Sequence, residues 1–291
     1  MASACTQGLD TGFVALGYAK VALLGVVQGI TELLPISSTA HMRIVPAFLG
    51  WQDPGSAFSA AMQAAALAAV LSYFWTDVRG IGLGALAAVR RADFQDWNFR
   101  FLIWLVLATL PIVVAGYILS PVLNACQSPL RSLTVIAISS VVMSGLFILA
   151  EIYARPKRTL DHATLKDALI VGLAQTGALI PGVSRSGSTL TAALFRDLKR
   201  EEAARFSFLL GVPAIAGAGL KEFWELHRAH LDAHGWSILG FGLVIASISA
   251  FIAIWGLLRI LERFSSWPFA VYRGLMGIFL FACVYFGWLP D

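Results

Sequence analysis

Charge is what this chain has least of. Asp, Glu, Lys and Arg make up 13% of its 291 residues, about half the share usual in soluble domains, which excludes a mainly water-facing globular surface. Cysteine is scarce as well. Cys5, Cys126 and Cys283 are odd in number and far apart, which excludes a disulfide framework and any zinc-type ligand spacing. There is no low-complexity tail and no basic arm, and the net charge is only +4. That surplus reads as the positive-inside bias of a membrane protein, with no nucleic-acid partner. Residues 1–16 lack a basic n-region and a cleavage site, so no signal peptide is expected and the first apolar segment serves for targeting.

What fills the space is hydrocarbon: 58% of the residues are hydrophobic. Runs at 54–76, 101–119, 132–150, 206–220, 237–258 and 271–289 reach or approach the length that crosses a bilayer. The last contains Arg273. Two further segments echo each other. Residues 25–41 carry Gln28, Glu32, Pro35, Ser37, Ser38, Thr39 and His41; residues 172–189 carry Gln175, Pro181, Ser184, Arg185, Ser186, Ser188 and Thr189. Each has a short apolar run with a Gln, then a Pro, then a hydroxyl cluster, and each run is broken near its middle. Paired interrupted segments in corresponding halves point to the functional site of a membrane protein.

The loop charges suggest how these segments sit. The basic-rich connections are 77–100, 154–166, 196–205 and 259–266; 120–131 and 221–236 are poorer. All four rich connections fall on the cytoplasmic side if 18–50 is a hairpin entering and leaving from outside and 167–195 a hairpin entering and leaving from inside. The expected fold is therefore an all-α integral membrane protein, a single domain over 1–291, with six spanning helices and two re-entrant helical hairpins. Repeat 1 covers 18–150 and repeat 2 covers 167–289, in inverted topology, each a hairpin plus three spans. Irregular backbone at membrane depth is tolerated only against protein or a polar cavity, so the hairpin tips should meet. Trp51, Trp75, Trp97, Trp236, Trp267 and Trp288 read as interface-belt residues.

At the first tip, Gln28 and Glu32 share a helix face, as do Ser37 and Ser38 with His41 if the return helix starts there. Capping alone accounts for Ser37, Ser38 and Thr39 in a generic protein, and an interhelical hydrogen bond accounts for His41. Glu32 is harder to explain structurally, because an intramembrane carboxylate is costly. At the second tip, Gly182, Gly187 and the serines suit an anion-binding nest, and Arg185 offers a planar fork for phosphate oxygens. Together the tips suit phosphoryl transfer.

These residues resemble the undecaprenyl-pyrophosphate phosphatase family, of the integral-membrane bacitracin-resistance type. The pattern [Glu/Gln]-x-x-x-Glu followed by Pro-x-Ser-Ser-Thr-x-His matches Gln28 to His41, and Pro-Gly-x-Ser-Arg-Ser-Gly matches Pro181 to Gly187. Phe206-Ser-Phe-Leu-Leu and Pro268-Phe-Ala-x-Tyr-Arg273 also look like family features. The resemblance implies hydrolysis of undecaprenyl pyrophosphate to the monophosphate, recycling the lipid carrier for peptidoglycan. It implies a bacterial plasma-membrane location, a site open to the periplasm and a divalent cation, Mg²⁺ or Ca²⁺. It assigns the metal to Glu32 with Gln28, and phosphate binding to Ser37, Thr39, Ser184, Arg185, Ser186 and Thr189. Ser38 is the nucleophile with His41 as base or acid, or His41 is the nucleophile. The chain departs from the commonest form at Gln28, where many members carry Glu, which leaves one carboxylate for the metal. The expected partners are a polyprenyl pyrophosphate and membrane lipids; a homodimer is left open. The rival reading is a lipid flippase or secondary transporter, because inverted repeats with broken helices are also a transporter architecture.

Overall fold

The computed structural model describes residues 5–6, 9–123, 128–228 and 230–289. Cys126 and part of the 120–131 connection lie outside them, as does most of the segment before residue 11. Two short strands, Cys5–Thr6 and Leu9–Asp10, pair antiparallel. Beyond them the regular structure is helical. In chain order the α-helices are α1 Gly17–Leu33, α2 Ser38–Phe48, α3 Ser56–Tyr73, α4 Trp75–Arg90, α5 Trp97–Leu123, α6 Leu133–Tyr153, α7 Leu165–Gln175, α8 Arg185–Phe195, α9 Arg200–Arg228, α10 Ala233–Arg263 and α11 Trp267–Tyr285.

Six helical stretches among the described residues are long and apolar enough to cross a membrane: Gly12–Leu33, Trp97–Leu123, Leu133–Tyr153, Arg200–Arg228, Ala233–Arg263 and Trp267–Tyr285. The chain is a multi-pass membrane protein. Two expectations need correction. The first arm of the 18–50 segment is not short, because a 3-10 turn at Gly12–Leu16 leads directly into α1. The connection 77–100 is not a loop: α3 bends by 78° into α4. Phe74, with φ −97° and ψ 28°, ends one helix and starts the other. The buried residues Ile81, Ala85 and Ala88 recur at helical spacing on α4. By contrast α2, α7 and α8 have 11 residues each, about 16 Å of helix against a hydrocarbon core of about 30 Å.

Helix packing follows a paired scheme. α6 lies on α11 and α3 on α9; α1 lies on α10 as α7 lies on α5; α3 meets α10 as α9 meets α5. Small residues permit the close crossings. A Cβ at Gly29 would run into the α10 backbone at Ala246, and one at Gly172 into the α5 backbone at Ala108.

Ion pairs tie the basic-rich connections together. Arg205 meets Asp77. Arg200 meets the buried Glu151, which also accepts from the Ser266 hydroxyl and, at 3.0 Å, from its N–H. Arg158 and Arg196, from before and after the second broken segment, both reach Asp167 at 2.7 Å. Lys157 and Arg158 also donate their N–H groups to the Asp197 carbonyl at 3.0 and 2.9 Å. The four connections therefore share one end of the bundle, and residues flanking 167–195 on both sides meet there. At the first segment, the Lys20 ammonium lies 5.3 Å from the centre of the Trp51 ring.

Candidate active site

Both broken segments turn through the same backbone device. Ser37 and Ser184 have φ of 72° and 70°, a region that L-residues enter only at a cost. Each is the N-cap of the helix that follows. Ser37 Oγ accepts from the Ala40 N–H and Ser184 Oγ from the Gly187 N–H. The second turn also needs Gly182, with φ 93° and backbone pressed on the Ile136 carbonyl. The N-termini of α2 and α8, the positive ends of their dipoles, thus flank the end of α1.

Glu32, 5% exposed, stands at the junction. Its Oε2 accepts from Ser38 Oγ at 2.5 Å and from Gln28 Nε2 at 3.0 Å. Its Oε1 accepts from Arg185 Nη2 at 3.2 Å. Ser186 Oγ lies 3.2 Å from the Glu32 carbonyl and 3.0 Å from the Leu34 carbonyl, joining the second tip to the first, and 3.2 Å from Ser184 Oγ. Arg185 Nε and Nη1 are buried and have no hydrogen-bond partner among the described residues. A guanidinium buried with open donors is expensive, and an anion placed there would satisfy it.

His41 lies beside this group and not within it. Its Nδ1 is 2.7 Å from the Ser37 carbonyl and its Nε2 is 2.7 Å from the Tyr272 hydroxyl. The Ser38 hydroxyl is directed to Glu32 and not to His41. The structure therefore brings Gln28, Glu32, Ser38, Ser184, Arg185 and Ser186 together. Thr39 is exposed on α2. Thr189 is fully buried, its hydroxyl 2.8 Å from the Arg185 carbonyl and 2.5 Å from Ser207 Oγ, so it serves α8 and α9. Gln175, the counterpart of Gln28 in the sequence echo, is buried with neither amide atom partnered among the described residues.

A protein-family model described as bacitracin resistance protein BacA matches residues 21–279. The chain belongs to this family. An undecaprenyl-diphosphatase 2 of Mesorhizobium japonicum is 72% identical over 262 residues, covering 90% of this chain and 99% of the relative. An undecaprenyl-diphosphatase of Trichormus variabilis is 44% identical over 99% of this chain and 91% of its own. One of Synechococcus elongatus is 46% identical over 92% and 94%.

The family match takes in two residues to which sequence reasoning gave no role. Arg273 on α11 is fully buried. It donates to the Pro35 carbonyl at 3.1 Å and to the Gly182 and Val183 carbonyls at 2.6 and 2.9 Å, so one guanidinium staples both turns. Its neighbour Tyr272 holds His41. The signal for Arg273 was present: it is the lone charge in an apolar run, which marks a functional or positioning group.

As for a metal, no group of three or more His, Cys, Asp or Glu side chains that could hold one occurs among the described residues. Glu32 is the one carboxylate at the tips, with the Gln28 amide beside it. That donor set fits a hard cation of the Mg²⁺ kind, which is bound by one or two carboxylates and completed by substrate phosphates and water.

Proposed function

We propose that this protein hydrolyses undecaprenyl pyrophosphate to undecaprenyl phosphate and phosphate, recycling the lipid carrier of cell-envelope synthesis and conferring bacitracin resistance. The observation that carries the reading is Arg185, buried with two donors open beside a Ser38 hydroxyl already bonded to a carboxylate. The names of the relatives support the substrate. An apolar groove of about 500 Å³ along α1 and α10, reaching Leu34 at the first turn, suits a hydrocarbon chain.

In this mechanism Arg185 and the N-terminus of α8 hold the terminal phosphate. Ser38 Oγ attacks the terminal phosphorus and its proton passes to Glu32 Oε2. The new bond is Oγ–P. The bond that breaks joins that phosphorus to the bridging oxygen, which leaves with the lipid monophosphate. Water then attacks the phosphoserine: its hydroxide bonds to phosphorus, the Oγ–P bond breaks as Glu32 returns its proton to Ser38 Oγ, and the water's other proton leaves with the released phosphate. Serine is favoured over histidine as nucleophile because both His41 nitrogens are engaged. A divalent cation held by Glu32 and Gln28 would neutralise phosphate charge.

The same proposal includes two re-entrant hairpins in an inverted repeat over 18–150 and 167–289. The shared turn geometry, the paired helix packing and the contacts across the ends of both segments support it. The ion-paired basic end is assigned to the cytoplasm of a bacterial plasma membrane and the site to the periplasmic face. A homodimer rests on the sequence reading alone; mass measurement in nanodiscs decides it.

Phosphate release by purified protein is the test, comparing wild type with Ser38→Ala, His41→Ala and Arg185→Ala. Release by wild type and loss in Ser38→Ala and Arg185→Ala is expected. Tight binding without release would replace the enzyme with a carrier. A trapped phosphohistidine at position 41 would sink the serine route.

A further inference from the structure

We propose that Tyr272 is a positioning residue that sets the orientation of the His41 ring through the hydroxyl contact at Nε2. The inference rests on the phosphatase reading above. A backbone carbonyl only accepts, so the Ser37 carbonyl at 2.7 Å requires the proton on His41 Nδ1. In the neutral ring Nε2 is then the bare nitrogen, and the Tyr272 hydroxyl at 2.7 Å donates to it. The two rings also stack, with centroids 5.7 Å apart and planes 12° from parallel. His41 is 9% exposed, and both of its nitrogens are spoken for.

What fixes Tyr272 is the next residue in the chain. Arg273 bonds the Pro35, Gly182 and Val183 carbonyls and so pins α11 at the level of both turns. The Tyr272 hydroxyl is thereby delivered to α2 from a helix 231 residues away in sequence. The imidazole, three residues beyond Ser38 on α2, is thereby held in one tautomer and one plane beside the site. Without the hydroxyl, Ser37 alone restrains the ring, and rotation about its bond to Cβ is limited only by stacking. Tyr272 itself touches none of Gln28, Glu32, Ser38 or Arg185 through a hydrogen bond among the described residues, so its effect has to pass through His41.

The test is a double-mutant cycle on phosphate release from undecaprenyl pyrophosphate by the purified full chain. Tyr272→Phe keeps the ring and removes the hydroxyl. It is expected to lower kcat about tenfold with KM close to wild type, the scale of one neutral hydrogen bond. In a His41→Ala background the same change should have no further effect. An equal fall in both backgrounds, or no fall in the wild-type background, overturns the proposal. A second readout does not depend on turnover. In protein labelled with ¹⁵N-histidine, the His41 Nε2 signal, assigned by its loss in His41→Asn, should move in Tyr272→Phe; an unmoved signal overturns the contact. A wild-type protein that releases no phosphate but shows the shift would refute the phosphatase reading and leave the contact standing.

Discussion

Arg185 is the residue on which the phosphatase reading depends, and its loss can be sized. In the present geometry it gives one N–H to Glu32 at 3.2 Å and keeps Nε and Nη1 open. A charge-assisted hydrogen bond contributes about 1.5–3 kcal/mol. Two such bonds to a phosphoryl group in the transition state come to about 3–6 kcal/mol, or about 10²–10⁴ in kcat/KM. Arg185→Ala also strips Glu32 of its buried counter-ion, and breaking a buried pair by removing one partner costs about 3–5 kcal/mol of stability. Arg185→Lys is therefore the cleaner probe: it keeps the charge beside Glu32 and loses the planar fork. The assay is steady-state phosphate release from undecaprenyl pyrophosphate in detergent, with thermal unfolding of each variant measured alongside. Arg185→Lys is expected to stay folded and lose at least tenfold in kcat/KM; Arg185→Ala should lose more. An Arg185→Ala protein that unfolds at the wild-type temperature and turns over within threefold of wild type would refute the clamp.

Three smaller experiments probe the surrounding structure. A Cβ at Gly211 on α9 would collide with Arg185 Nη1, so Gly211→Ala should displace the guanidinium and lower turnover about tenfold or more; unchanged kinetics would mean the guanidinium shifts freely without consequence. Arg273→Met leaves three turn carbonyls without their donor, at about 1–3 kcal/mol each if they stay dry, and the unfolding midpoint should fall by several degrees; an unchanged midpoint argues against the staple. Gln28→Glu should keep activity and strengthen its dependence on added Mg²⁺, read by titrating metal after EDTA treatment; complete loss would show that Gln28 is not at an interchangeable ligand position.

Much of the architecture was legible before any coordinates, because burial in lipid leaves few solutions for backbone polar groups. Run lengths marked five of the six stretches long enough to cross a membrane; they missed Gly12–Leu33 and counted 54–76, which reaches that length only together with α4 across a 78° bend. The charge count grouped four connections that the ion pairs of Asp77, Glu151 and Asp167 hold at one end of the bundle. α4 was missed because Arg79, Arg90 and Arg91 masked the helical spacing of Ile81, Ala85 and Ala88. The tip residues were legible as a set, because hydroxyls, a carboxylate and an arginine have no cheap reason to sit in apolar runs. Their pairing was not. Spacing along one helix suggested Ser38 with His41, whereas Ser38 meets Glu32 across the turn and His41 meets Tyr272 from the far end of the chain. Periodicity reports which residues share a face; it carries no information about what a turn or a distant helix brings to that face.

The contact between Glu32 and Arg185 also bears on why the two tips diverged. Ser37 and Ser184 have nearly the same backbone conformation, and both cap helices whose positive ends face the junction. Counted from those caps, Ser38 answers to Arg185 and Glu32 to Leu179, so identical tips would set Glu32 against a serine, or Arg185 against a leucine, in place of the present ion pair at 3.2 Å. Unit charges about 4 Å apart interact by roughly 4 kcal/mol at an effective dielectric constant of 20, an attraction that a symmetric pair of tips would forgo. Opposite charges let the turns close in the absence of any ligand. They also leave the site primed in one direction: an entering phosphate competes with Glu32 for the guanidinium, and every donor it wins from Arg185 leaves the carboxylate freer to take the Ser38 proton. Two copies of the first tip would keep the carboxylate beside the serine but bring no guanidinium to the phosphate, and two copies of the second would bring the guanidinium and no carboxylate.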